Sequence, residues 1–153
     1  SVYADANLTY LFERGPWYNA AFPVTLGADY IHNFTAPGDN TGYSFGVNIG
    51  KAGKKGLWEI NYRYTRMEAD AWFEEFVESD FGAFYKFTQP NSGGSGYRSG
   101  TNVRGHWIKG TYNFYDSFSF SVAYFLTELI NPPPGAAYDS GAGRLFVEAV
   151  WKY

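Results

Sequence analysis

Residues 144–153 have the sequence RLFVEAVWKY, in which two kinds of side chain alternate. Every second position is apolar or aromatic: Leu145, Val147, Ala149, Trp151 and Tyr153. The positions between them carry all three charges of the stretch: Arg144, Glu148 and Lys152. Because successive side chains of a strand point to opposite faces, this alternation predicts a β-strand with one apolar and one charged face.

Six further segments show the same alternation, so the sequence predicts about seven strands, each near the ~9–11 residues of a tilted membrane strand. Their apolar positions are Leu8, Tyr10 and Phe12; Phe22, Val24, Leu26, Ala28 and Tyr30; Tyr43, Phe45, Val47 and Ile49; Trp58, Ile60, Tyr62 and Tyr64; Ile108, Gly110, Tyr112 and Phe114; and Phe118, Phe120, Val122, Tyr124 and Leu126.

The composition of the two faces favours a membrane barrel over a soluble sandwich. Phe, Tyr and Trp make up 22% of the chain and crowd the ends of the apolar faces, whereas the other face is mostly Ser, Thr, Asn, Gly and single charges. A sandwich core is usually rich in Val, Ile and Leu, and its outer face in Lys and Glu. Aromatic girdles on a lipid-facing wall around a wet interior are typical of outer-membrane barrels. We therefore predict an all-β, antiparallel up-and-down transmembrane β-barrel, with residues 1–153 as one barrel region.

The connections between the strands indicate how such a barrel would be oriented. Short links occur around 51–56 and 115–117, whereas the links at 35–41, 70–101 and 131–142 are longer. Outer-membrane barrels alternate short periplasmic turns with longer external loops. This alternation predicts that the C-terminus lies on the periplasmic side of a bacterial outer membrane.

Composition excludes several other classes of protein. No run approaches the ~20 apolar residues of a membrane helix, and the chain has no cysteine for disulfides. The net charge of -3 argues against a nucleic-acid partner. No phosphate-loop, zinc or haem motif is present, so we expect no cofactor and no metal.

Several stretches resemble a porin family of Gram-negative outer membranes. The resemblance lies in residues 28–34, 42–47, 55–64, 68–71 and 79–82 and is specific for the C-terminal portion of the porin barrel. It implies general diffusion of small polar solutes or ions, or selectivity for one solute that the resemblance does not identify, and porins of this type are often homotrimers. We further expect contact with membrane lipid and lipopolysaccharide, and no enzymatic activity. The end of the chain, with Trp151 and Tyr153, looks like the insertion signal that the barrel-assembly machinery recognises, although that signal usually ends in Phe.

The strand count bears on whether the barrel is complete. Single-chain bacterial barrels use an even number of strands, with eight the usual minimum. Either a further strand lies within 70–101, or N-terminal strands are absent from this sequence, which begins Ser1-Val2-Tyr3 without a start Met. Small residues such as Gly46 and Gly50 would leave an eight-stranded barrel underfilled, so we favour part of a larger porin.

The predicted pore-lining residues are charged and lie on the polar face: Glu13, Asp29, Glu59, Arg63, Lys109, Arg144, Glu148 and Lys152. Rings of charge set ion selectivity in pores. Mixed charges also pair across neighbouring strands and merely keep the interior wet. Because the signs are balanced here, we predict weak selectivity at most.

The segment 70–101 is predicted to be a long loop, either external or folded into the channel. Candidates for a constriction are Asp70, Trp72, Glu74, Glu75, Glu78 and Asp80. Asp70 would cap a short amphipathic helix whose apolar side holds Trp72, Phe73, Phe76 and Val77. Calcium binding by the acidic residues is an alternative, although the spacing matches no EF-hand. A solvated external loop is another.

Three other functions are open to a chain of this pattern. A small structural or adhesive outer-membrane barrel without a pore is the first alternative. An outer-membrane hydrolase would need a serine–histidine pair, but only His32 and His106 are available and no Gly-x-Ser-x-Gly motif occurs. A soluble lectin-like sandwich is the third.

Overall fold

A computed structural model describes residues 2–72, 81, 101–132 and 141–153. The strands are β1 (Val2–Phe12), β2 (Phe22–His32), β3 (Thr41–Gly50), β4 (Trp58–Met67), β5 (Val103–Tyr115), β6 (Phe118–Leu129) and β7 (Ala142–Trp151). They form one open antiparallel sheet in chain order, with β1 and β7 at its edges. The predicted all-β class and the seven strands are confirmed. No helix in the described ranges is long and apolar enough to span a membrane.

The register separates the side chains into two faces. Asp29 lies opposite Ser44, which lies opposite Thr65. Since residues that pair directly share a face, these positions belong to one face, which also carries Arg63, Lys109 and Glu148 and is called the polar face below. The other, called the apolar face, carries a row of mostly aliphatic residues: Leu8, Leu26, Val47, Tyr62, Ile108, Tyr124 and Leu145.

Burial on β6 is the reverse of what a water-soluble sheet shows. Phe120, Val122 and Leu126 on the apolar face are 38%, 38% and 50% exposed. Ser121 and Thr127, on the polar face, are 6% and 2% exposed. The strand therefore leaves the large side chains of its apolar face uncovered. Its polar face is covered, both at these hydroxyl groups and at Phe125 and Leu129.

Aromatic rings gather at the two ends of the apolar face. The end joined by links 13–21, 51–57 and 116–117, called the short-link end, has rings in contact from strand to strand: Phe12 with Phe22, Phe22 with Trp58, Phe114 with Phe118, and Phe118 with Trp151. The end joined by links 33–40, 68–102 and 130–141, called the long-link end, has Tyr43 and Phe45 against Tyr64, and Tyr64 against His106. Aliphatic residues fill the band between them.

The short-link end is fixed by one buried phenol. Tyr18, in the β1–β2 link, is only 3% exposed and contacts the rings of Phe22 and Trp58. Its hydroxyl donates to the Lys51 carbonyl at 2.6 Å and accepts from the Lys51 amide at 2.7 Å. Two neighbouring links are thereby joined.

The long-link end is held by amide side chains. Asn33 donates from Nδ2 to the Asp70 carbonyl at 2.8 Å, and the Asp70 amide donates to the Asp39 carbonyl at 2.7 Å. Asn102 and Asn131 exchange two hydrogen bonds, at 2.9 and 3.0 Å. These bonds join the link 33–40 to the start of 68–102, and the end of 68–102 to the start of 130–141.

An apolar cluster lies on the polar face across β5 and β6. Phe81, Val103, Ala123, Phe125 and Leu129 are its buried members, and Trp107, Ala142 and Phe146 pack against them. Phe81 belongs to the long β4–β5 link, so at this residue the link contacts the face that carries the charges. The helix predicted after Asp70 falls on 73–80, outside the described residues.

Candidate functional site

The predicted pore-lining charges fall into two groups. Asp29, Glu59, Arg63, Lys109, Arg144 and Glu148 all lie within strands and share the polar face. Glu13 follows the last residue of β1, and Lys152 follows the last residue of β7. Sequence alternation thus places six of the charges on one face, and the other two at strand ends.

Asp29 is held by two hydroxyl groups. Tyr3 donates to its Oδ1 at 2.8 Å and Ser44 donates to its Oδ2 at 2.6 Å. The three residues come from β1, β2 and β3 and fix the carboxylate against the sheet. Both oxygens of Asp29 therefore already accept a hydrogen bond from the protein.

Glu59 accepts hydrogen bonds from residues in and beside the β3–β4 turn. Its Oε1 accepts from Asn61 at 2.9 Å and from Asn48 at 3.3 Å, and its Oε2 accepts from the amide of Ala52 at 3.1 Å. A carboxylate engaged in this way stabilises the β3–β4 turn and offers little to a passing solute.

Lys109 and Glu148 form the ion pair that mixed charges on one face predict. Lys109 Nζ lies 3.4 Å from Glu148 Oε2, which also accepts from Ser121 at 3.2 Å. Arg144, on the same face, lies over the ring of Phe146 at 4.4 Å. These contacts cross β5, β6 and β7.

Arg63 differs from these charges. It is exposed, and it forms no hydrogen bond or ion pair with another described residue. It lies in a row with Gly27, Gly46 and Trp107, each directly opposite the next across β2, β3, β4 and β5. Neither glycine has a side chain, but the Asn7 side chain lies over Gly27, since a Cβ atom there would be 2.7 Å from Asn7 Oδ1.

A cavity of about 740 Å³ opens on this part of the polar face. The charged and polar groups that line it include Tyr3, Asp29, Ser44, Arg63 and Thr65. Trp72, Phe81 and Trp107 line it as well. The remaining lining residues are Tyr30, Ile31, Gly42, Tyr43 and Met67. The cavity therefore brings together a cation, an anion that is already hydrogen-bonded, and several flat apolar surfaces.

The predicted constriction residues are described only in part. Trp72 lines the cavity, and Asp70 is an exposed residue of the long-link rim. Glu74, Glu75, Glu78 and Asp80 lie outside the described residues. The structure thus brings one of the candidates, Trp72, to the polar face.

Neither histidine is placed beside a serine in the described ranges. His32 Nδ1 lies 3.2 Å from the Thr41 hydroxyl, and His106 Nδ1 lies 2.8 Å from the Tyr62 hydroxyl on the apolar face. No group of three or more His, Cys, Asp or Glu residues among those described has the arrangement of a metal site.

The C-terminal residues lie at the short-link end of the apolar face. Trp151 is the last residue of β7 and its ring lies 5.5 Å from that of Phe118, with 66% of its surface exposed. Tyr153 follows the strand and is fully exposed.

Several residues at or near the site were not among the predicted site residues. Phe81 belongs to the β4–β5 link, and Phe125 lies among the mostly small residues of β6 on the polar face. Arg66 and Arg104 lie opposite each other on the apolar face at the long-link end, each paired with a carboxylate, Glu68 or Glu128. The alternation itself assigns Phe125 and both arginines to their faces, whereas no local signal marks Phe81.

Comparisons with protein-family models, with curated proteins and with solved structures found no match to this chain.

Proposed function

We propose that this chain is the C-terminal part of a transmembrane β-barrel of a bacterial outer membrane, a porin through which small polar solutes or ions diffuse passively. The apolar face contacts lipid and, towards the outside, lipopolysaccharide. The polar face lines a water-filled passage. The chain carries no catalytic activity and needs no cofactor.

The observation that carries this proposal is the pattern of burial on β6, in which the apolar face is exposed and the polar face is buried. On its apolar face Phe120, Val122 and Leu126 are exposed. On its polar face the hydroxyls of Ser121 and Thr127 are covered, together with the side chains of Phe125 and Leu129. Soluble monomers rarely expose contiguous apolar patches of more than a few hundred Å². A band of exposed aliphatic residues between two sets of aromatic rings is the surface that a barrel presents to a bilayer.

The edges of the sheet support a larger barrel. β1 and β7 each have one neighbour, and their outer backbone groups would be costly to leave unpaired in hydrocarbon. The described residues form seven strands, an odd number, whereas bacterial single-chain barrels have even numbers. Additional strands of the intact protein are therefore proposed to close the barrel between β7 and β1.

The connections support the proposed orientation. The links at the long-link end include 68–102 and 130–141, and the link 116–117 at the opposite end is the shortest. The link 13–21 at the short-link end is longer than 33–40 at the opposite end, and 51–57 is nearly as long, so the argument rests on 68–102, 130–141 and 116–117. Because outer-membrane barrels have long external loops and short periplasmic turns, the C-terminus is proposed to lie on the periplasmic side, where the barrel-assembly machinery would engage β7.

The decisive experiment is single-channel recording of the detergent-purified full-length protein in a planar bilayer. We expect stable, ohmic conductance steps with weak ion selectivity. Protein that inserts correctly but conducts nothing would overturn the diffusion pore in favour of a structural or adhesive barrel. Protein that remains monodisperse in buffer without detergent would overturn the membrane assignment itself.

A further inference from the structure

We propose that the cavity beside Arg63 is a binding site for small organic anions with a flat apolar body, such as aromatic carboxylates. The proposal rests on the proposed function, because it takes the polar face to be the wall along which solutes pass. It adds a ligand class to a passage that otherwise carries polar solutes in general.

The anion preference comes from Arg63. Its guanidinium lines the cavity, is exposed, and forms no hydrogen bond or ion pair with a described residue, although its charge interacts with that of Asp29. A planar guanidinium matches the two oxygens of a carboxylate and binds them through parallel N–H···O bonds. The cavity thus presents an accessible cation for a carboxylate.

Asp29 does not offer a comparable site for a cation. Each of its oxygens already accepts a hydrogen bond, from Tyr3 or from Ser44. A solute ammonium would have to share these oxygens with two hydroxyl donors. The ligand is therefore expected to direct its charge towards Arg63 and away from Asp29.

The apolar body of the ligand follows from the aromatic walls. Trp107 lies directly opposite Arg63 in the sheet, and its ring centroid lies 6.3 Å from that of Phe125, whose side chain is buried. Trp72 and Phe81 also line the cavity. Aromatic side chains gain from offset or edge-on contact with another ring, so a flat apolar body suits the space beside the cation.

The size of the cavity fits a small molecule rather than a polymer. Its volume of about 740 Å³ lies within the ~300–1,000 Å³ of ordinary ligand pockets. A site in a diffusion pathway must release what it binds. We therefore expect rapid, reversible binding that shows as a brief block of the current.

A matched control is available on the same face. Lys109 lies on β5, two residues after Trp107, and forms an ion pair with Glu148. Its charge is thus already satisfied by the protein. Removal of the Lys109 charge changes the electrostatics of the face without touching the Arg63 row.

The test uses full-length protein in a planar bilayer with potassium benzoate as the probe. Benzamide and benzylamine serve as its neutral and cationic counterparts, and acetate as the carboxylate without a ring. We expect benzoate to block the current most strongly. In Arg63→Gln the benzoate affinity should fall roughly tenfold, as for the loss of one charge-assisted hydrogen bond. Arg63→Lys should retain part of the affinity, and Lys109→Gln most of it.

The ring is tested separately from the charge. Trp72→Leu should weaken block by benzoate and leave the effect of acetate unchanged. Equal block by benzoate and acetate in the wild type would overturn the aromatic part of the proposal. Equal benzoate block in wild type and Arg63→Gln, or a stronger block by benzylamine or by benzamide, would overturn the anion site.

The two proposals fail in different ways. Normal conductance without benzoate block rejects the anion site and leaves the porin intact. An absence of conductance rejects the porin, and titration of benzoate into the detergent-solubilised protein by calorimetry then decides the site directly. Comparable heat-modifiable mobility of each variant on gels shows that it is folded. Were Arg63→Gln to misfold, the comparison of wild type with Arg63→Lys and Trp72→Leu would still decide.

Discussion

Gly105 occupies a position on β5 where the neighbouring strand leaves no room for a side chain. A Cβ atom there would lie 2.7 Å from the Cα of Thr127 and also against the Leu126 carbonyl. Both obstacles belong to the β6 backbone, so they cannot move aside without disturbing the pairing. Close approach of two strands, rather than a special backbone angle, is what requires glycine at this position.

Gly105→Ala should therefore destabilise the folded protein by about 1–3 kcal/mol, the usual cost of overpacking. Gly110→Ala is the control in the same strand, because a Cβ there meets nothing within 4 Å. Unfolding of the full-length variants by denaturant in detergent measures the difference. Equal free energies of unfolding for the two alanine variants would contradict the close packing of β5 on β6.

Arg63 shows which properties of a single residue the sequence predicts: its face is predictable, whereas its cross-strand partners are not. Period-two alternation assigns it to the polar face, and the register confirms this. Alternation gives no cross-strand neighbours, so it does not reveal that Arg63 forms no ion pair with a described residue while Lys109 pairs with Glu148. The pairing of a charge depends on register, which the sequence of one strand does not contain.

At the level of elements, the strands were predictable because each has a clear two-residue period. The alternation of Phe118, Phe120, Val122 and Tyr124 with small polar residues specifies β6 and its two faces. The packing of Phe81 onto that strand was not predictable. It is a contact between residues far apart in sequence, within a link that has no such period.

Ile60 and Asn61 allow the lipid-facing assignment to be tested within one strand. Ile60 is 41% exposed on the apolar face, whereas Asn61 is on the polar face and donates to Glu59. Ile60→Arg should cost about 2–4 kcal/mol in a bilayer, because a charge would face hydrocarbon. Asn61→Arg should be tolerated, since its cation meets a wet face and the Glu59 carboxylate.

The yield of folded protein in lipid vesicles and its unfolding by denaturant measure both Ile60→Arg and Asn61→Arg. In a soluble protein an exposed isoleucine replaced by arginine changes stability by only ~0.5 kcal/mol. Wild-type yield and stability for Ile60→Arg would thus refute contact with lipid.

Phe81 anchors the long β4–β5 link to the polar face. The side chain is 6% exposed and packs in a cluster with Val103 and Phe125. Phe81→Ala should lower the free energy of unfolding by about 3–5 kcal/mol, and the single-channel conductance should increase because a ring leaves the polar face. Phe34→Ala is the control in another long link, where the ring is 70% exposed. Similar effects of the two substitutions on stability and conductance would argue against the anchor.

For the whole molecule, the open sheet is the governing feature. Six antiparallel pairings join the strands in chain order, and the described residues include no pairing between β1 and β7. The chain order follows from alternation together with short links, since neighbouring strands of a meander pair in sequence. The closing partners of the two edges lie beyond what any pattern in these strands specifies.

The distance between the aromatic rings at the two ends of the apolar face also gives the thickness of the apolar band. Tyr30 and Phe22 mark the two ends on β2, which corresponds to ~27 Å along the strand at ~3.3 Å per residue and ~20 Å across a bilayer for the tilt usual in barrels. A hydrocarbon layer thicker than this span would have to thin around the protein. The protein is therefore expected to insert most efficiently into short-chain phosphatidylcholine vesicles, with yield falling as the acyl chains lengthen. On this view the spacing of the aromatic residues matches the protein to a thin membrane.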